Sequence, residues 1–116
     1  MRLTTTQLNR LTIIQIDGEL NVLTANDFLE QVGSMLDGGM VDLIFDCALL
    51  TYISSAGIRA IFMLMDRLDS TGGRILFCRI RNDVKGVFHS TNLDAECSVY
   101  ATPEEAASSL ESGRGL

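Results

Sequence analysis

The most constraining feature of this chain is the order of its apolar patterns between residues 41 and 78. Residues 41–47, Val-Asp-Leu-Ile-Phe-Asp-Cys, form a short and mostly apolar run bounded by turn signals, too short for a helix and suited to a strand covered on both faces. After a loop over residues 48–55, Ile58, Ile61, Phe62, Met65 and Leu68 recur at intervals of three and four, which predicts a helix with one stripe packed inward. Gly72 and Gly73 end that helix, and residues 74–78 supply a second apolar strand. Strand, helix and strand in this order make a parallel pair joined by a crossover, expected to be right-handed.

The flanking segments extend the unit into one α/β domain. Residues 3–8 and 11–16 read as a hairpin turning at Asn9 and Arg10 and ended by Asp17 and Gly18. Thr24 precedes a helical series, Phe28, Leu29, Val32, Met35 and Leu36, with Asp27 in the capping-box position, a Leu23–Phe28 hydrophobic staple, and a stop at Gly38 and Gly39. Val84, Val87 and Phe88 mark a shorter third helix, and residues 96–100 an edge strand. In the last helix Thr102 is the expected N-cap, Pro103 the first helical residue, and Glu105 the partner in a capping box. The domain is expected to span residues 1–111, with 112–116 a frayed tail.

Composition narrows what such a domain does. Its 116 residues are 47% hydrophobic, enough for one core and too few for a second domain. A net charge of −6 offers no electrostatic footprint for a phosphate backbone, so direct nucleic-acid binding is not expected. No signal peptide and no run long enough to cross a bilayer is present, and a cytoplasmic protein without membrane insertion is expected. Cys47, Cys78 and Cys97 are widely spaced, odd in number and free of any C-x-x-C pair, which fits buried thiols in a reducing compartment better than a disulfide framework or a zinc site.

Chemistry is expected in the loop after the first central strand, because open α/β sheets place functional loops at the carboxyl ends of their strands. Ser55 stands there as the expected N-cap of the second helix, its hydroxyl accepting from the N–H of Gly57 or Ile58. The alternative role is phosphoacceptor, since a helix start offers N–H donors and a positive dipole end to an anion, and Ala56 and Gly57 keep the approach open. Spacing alone favours the cap. His89, the one histidine, falls near the end of the third helix, away from this loop, and Asp17, Glu19, Asp42 and Asp46 read as solvated charges at strand ends. Met63 falls opposite the inward stripe of the second helix with Arg59 and Arg67 beside it, a plausible contact for an acidic or mixed partner surface.

Residues 52–59, Tyr-Ile-Ser-Ser-Ala-Gly-Ile-Arg, resemble the signature turn of STAS domains in its Ser-Ser-Ala-Gly-Leu-Arg variant. Gly18, Glu19 and Leu20, followed by Thr24 and Ala25, resemble the Gly-Glu-Leu-Asp and Thr-Ala pairs that open the family's first helix. Gly72-Gly73, residues 84–88 and Pro103-Glu104-Glu105-Ala106 resemble its later elements, so nearly the whole chain is covered. The resemblance implies a mixed, mainly parallel central sheet with helices chiefly on one face. It also implies an anti-sigma factor antagonist, a binding protein and not an enzyme, with no cofactor or metal of its own. Such a protein works by partner switching: an anti-sigma factor with serine kinase activity phosphorylates the residue matching Ser55, and a metal-dependent serine phosphatase reverses it. The expected partner-binding set is Asn21, Thr24, Ser54, Ser55, Ala56, Gly57, Arg59 and Met63. Ser54 and Asn21 stand where many members have aspartate. The alternative within the family is an unphosphorylated regulatory subunit of a transporter or signalling scaffold; a small hydrolase or transferase is a distant third.

Overall fold

The computed structural model describes residues 1–8, 11–39 and 42–114. The hairpin is an antiparallel ladder of β1 (Arg2–Leu8) and β2 (Leu11–Leu20), in register from Arg2 opposite Asp17 to Leu8 opposite Leu11. Its turn at Asn9 and Arg10 lies outside the described residues. Asp17 and Gly18 do not end β2. Gly18 takes φ +114, a conformation a side chain disfavours, and the register shifts between Gly18 and Glu19. The strand thereby changes partner: residues 12–15 pair with β3 (Asp42–Asp46), and residues 18–20 pair with β4 (Leu50–Ile53), both parallel.

β4 occupies the segment expected as loop. Its Leu50 and Ile53 are buried and Thr51 and Tyr52 are exposed, a pattern too short to show a period of two. Beyond it come α2 (Ser55–Asp69) and β5 (Arg74–Cys78), which pairs with β3 in parallel from Asp42 opposite Arg74 to Asp46 opposite Cys78. The sheet order is β1-β2-β3-β5-β6, with β4 attached to β2 and β6 (Ser98–Tyr100) parallel to β5. This is the expected mixed, mainly parallel sheet.

Alternation along β3 and β5 sorts their side chains between two layers. Leu43, Phe45, Ile75 and Phe77 face a core built with α1 (Ala25–Asp37), α2, α3 (Asn82–Ser90) and α4 (Leu93–Glu96). Phe28 of α1, Phe45, Phe77 and Phe88 of α3 form a chain of ring contacts through it, with centroids 5.5, 5.5 and 5.1 Å apart. Ile44, Leu76 and Cys78 point the other way, where α5 (Pro103–Arg114) covers them with Ala106, Ala107 and Leu110. Helices therefore lie chiefly on one face.

Several local expectations change. α4 was not foreseen; it consumes Glu96 and leaves β6 shorter than residues 96–100. Asp42 and Asp46 are buried where solvated charges were expected, while Asp17 and Glu19 are exposed. Asp46 accepts the Ala48 N–H at 3.1 Å and pairs with Arg79 at 3.5 Å. Thr102 Oγ1 accepts the Glu105 N–H at 3.1 Å as the capping box requires, but Glu105 Oε2 reaches back to the Ala101 N–H, one residue earlier than expected. α5 runs through Arg114, past the point where the tail was expected to begin.

Candidate functional site

The β4–α2 junction is built on two adjacent serines with different duties. The Ser54 N–H donates to the Leu20 carbonyl at 2.9 Å, so this residue is still extended chain continuing the β4–β2 ladder, at φ −100 and ψ 175. An N-cap needs such a non-helical backbone. Ser54 accordingly caps α2, its Oγ accepting the Gly57 N–H at 3.4 Å and its carbonyl accepting the Ile58 N–H at 2.9 Å. The cap was expected at Ser55 and lies one residue earlier. Ser55 is the first residue of α2, is exposed, and among the described residues its hydroxyl makes no hydrogen bond.

Gly57 explains how closely α2 sits on the sheet. A Cβ there would lie 2.7 Å from the Leu20 carbonyl oxygen and 2.9 Å from Ile53 Cγ1, contacts that real side chains essentially never make. Its role is therefore to let the helix approach β2 and β4. Ile58, Ala60, Ile61, Leu64 and Leu68 are buried beneath the helix, with Phe62 and Met65 half-buried, so Leu64 belongs to the inward stripe as well.

The turn from β2 into α1 is held by Asn21 and Thr24, by a different device from the expected cap. Asn21 Oδ1 accepts the N–H groups of Leu23 at 2.9 Å and Thr24 at 3.2 Å. Thr24 Oγ1 accepts the Asn21 N–H at 2.9 Å and donates to the Glu19 carbonyl at 2.9 Å. That commitment leaves Thr24 without a capping bond, and its φ −110 and ψ −14 are already near-helical. Asp27 accepts from Gln31 at 2.9 Å in place of closing a capping box. The tightened turn pushes Val22 and Leu23 outward to 74% and 87% exposure while Phe28 is fully buried, so the Leu23–Phe28 staple does not form.

Between this turn, α1 and α2 lies a groove lined by Val22, Ala25, Asn26, Leu29, Ala56, Arg59, Ala60 and Met63. It gathers three of the expected contact residues, Ala56, Arg59 and Met63. Asn21, Thr24, Ser54 and Gly57 shape the backbone around it, and Ser55 stands at the start of the same helix. Arg67 does not join the set: its guanidinium pairs with Asp37 at the end of α1 and lies against Gly33. Among the described residues Arg59 has no hydrogen bond or ion pair. Leu23 reads from sequence as half of a staple and Val22 carries no sequence signal of its own; the available signal for their exposure is Asn21, a residue that favours turns by bonding the backbone two residues on.

This arrangement can present a hydroxyl and an apolar surface. Among the described residues no base is hydrogen-bonded to the Ser55 hydroxyl, and His89 is engaged elsewhere, with Asp94 at 3.1 Å. Burial pushes the Cys47 thiol well up, and Cys78 and Cys97 up to about 12, so all three are protonated at neutral pH. Among the described residues no group of three or more His, Cys, Asp or Glu side chains is placed to hold a metal. Among the same residues no helix is long and apolar enough to cross a membrane.

Comparison with known proteins places these features in a wider set. The family model described as the STAS domain matches residues 2–106. BtrV of Bordetella bronchiseptica, named as a candidate anti-sigma factor antagonist, is 25% identical over 111 residues, which are 96% of each chain. Among solved structures, a candidate anti-sigma factor antagonist of Thermotoga maritima superposes with a TM-score of 0.88 at 23% identity, covering 92% of each chain. The anti-sigma factor antagonist SpoIIAA in its unphosphorylated form superposes with a TM-score of 0.81 at 21% identity over 99% of this chain and 98% of that one. SpoIIAA of Bacillus in its phosphorylated form gives 0.73 at 20% identity over 94% and 99%.

Proposed function

The chain belongs to the STAS domain family, and from that premise we propose that it is an anti-sigma factor antagonist that acts by partner switching in the cytoplasm. Unphosphorylated, it occupies an anti-sigma factor that is also a serine kinase, through the groove between α1 and α2 and the start of α2. The kinase transfers the γ-phosphoryl group of ATP to Ser55 Oγ, supplying the base that takes the hydroxyl proton and the magnesium that holds the nucleotide. The phosphoprotein lets go, and a metal-dependent serine phosphatase restores the binding form. Names borne by relatives at 25% identity or less support this reading.

The observation that carries it is the division of labour at the junction. Ser54 holds the helix, and Ser55 is left exposed with an unused hydroxyl in the first turn. Up to about two negative charges added there sit beside Ala56 and Arg59 on the groove wall, where desolvation and repulsion act directly on a docked partner. The experiment is phosphopeptide mapping after incubation with the cognate kinase, ATP and magnesium. Stoichiometric modification of Ser55 is expected. Modification of Ser54 alone overturns the assignment, and no modification by a verified cognate kinase returns the scaffold or transporter-subunit reading.

A further inference from the structure

Resting on the reading of Ser55 as phosphoacceptor, we propose that phosphorylation converts Arg59 from a groove residue into an intramolecular clamp on the Ser55 phosphate. Ser55 and Arg59 are four residues apart on α2, and both are exposed. Residues at that spacing are neighbours on a helix surface, with Cβ atoms about 5–6 Å apart. A helical side chain leans back over the turn N-terminal to its own Cα, so the guanidinium reaches toward the start of the helix. An acid preceding a base by four residues is the favourable order, and a guanidinium matches a phosphate with two parallel N–H···O bonds.

Competitors are few. The first turn of α2 carries no acidic residue, and Arg59 holds no ion pair among the described residues, whereas Arg67 is taken by Asp37. Arg59 is also the one charged side chain among the residues lining the groove. Drawing it toward the phosphate changes that wall in one step: the groove loses its cation as an anion appears at its end. A partner that places a carboxylate against Arg59 beside an apolar side chain loses the first contact and meets repulsion. Arg59 is a positioning residue here, acting through the phosphate.

Phosphoserine encoded directly at position 55 of the full chain tests this without any kinase, by titrating the phosphate in 31P NMR. Asp17 and Glu19 on β2, Tyr52 on β4, Arg74 and Cys78 on β5, and Asp27, Glu30 and Asp37 on α1 are the other titratable or charged groups on elements packed against α2, with Asp66, Arg67 and Asp69 on α2 itself, and they are common to every protein compared. The second phosphate pKa is expected to rise by about half a unit in Arg59→Gln and by less in Arg59→Lys, which keeps the charge but loses the fork. Values equal within about 0.1 in all three overturn the clamp. Should Arg59→Gln fail to fold by circular dichroism, the wild-type Arg59 Nε–H resonance decides: a downfield move on phosphorylation supports the clamp, and an unmoved resonance removes it. A kinase that never modifies Ser55 would sink the functional reading without touching this titration.

Discussion

At the scale of single residues, the junction between β4 and α2 moves the cap from Ser55, where the sequence pointed, to its neighbour Ser54. The choice falls on Ser54 because its N–H must complete the ladder to Leu20, which keeps its backbone extended, and only an extended residue can turn its oxygen onto the N–H groups ahead. Ser54→Ala is therefore expected to cost on the order of 1 kcal/mol in urea unfolding, while Ser55→Ala stays within about 0.5 kcal/mol of wild type. A larger loss at Ser55 than at Ser54 would reverse the assignment. Gly57 is under a harder constraint, since the atom its Cβ would strike, Leu20 O, is backbone and cannot swing aside. Gly57→Ala should destabilise by about 1–3 kcal/mol through overpacking, seen as a lower melting temperature; an unchanged midpoint would mean that α2 can lift off the sheet freely.

At the scale of elements, α2 shows what periodicity can and cannot tell. Spacing of three and four was enough to find the helix and its inward stripe, because Ile58, Ile61 and Leu68 are fixed by the core below. It also left Met63 on the outer side, where the structure has it 52% exposed in the groove beside Arg59. What spacing could not show is the other wall, which depends on how Asn21 and Thr24 tie the β2–α1 turn and turn Val22 outward. Nor could it find β4, whose four residues are set by pairing with the displaced end of β2, or α4, a single turn fixed by Leu93 under the core. Long apolar elements were legible because their burial is written in their own residues; short ones depend on neighbours distant in sequence. If the proposed partner is right, Met63→Asp should weaken binding to that anti-sigma factor kinase by at least about tenfold, or roughly 1.4 kcal/mol, by calorimetry with an unchanged melting profile. An unchanged affinity would take this face of α2 out of the interface.

At the scale of the whole molecule, the two layers around the sheet can be read through three thiols that sample them. Cys47 lies in the larger core under the four helices on one face, Cys78 lies beneath α5 on the other, and Cys97 sits at the margin where α4 meets β6. Burial raises Cys78 and Cys97 from an ordinary value of 9.0 to about 12, with nearby acids adding to it, Asp46 for the first and Asp94 and Glu96 for the second; Cys47 is raised well above 9.0 too. The sign of the consequence follows from proton counting. Between about pH 9 and 12 the unfolded chain has released its thiol protons while the folded chain keeps them, so the unfolded state binds fewer protons and unfolding becomes easier as pH rises. The stabilisation is complete below about pH 9 and is lost progressively on the way to 12. Both layers should contribute, since the thiols belong to both. Urea unfolding at successive pH values is expected to show a falling midpoint above pH 9, and the fall should be shallower in Cys78→Ala and in Cys97→Ala than in wild type. The comparison with each variant isolates the thiol contribution. Parallel curves for wild type and both variants would mean that water reaches these thiols in the folded protein, and that the seals formed by α5 and by the α4–β6 corner are open.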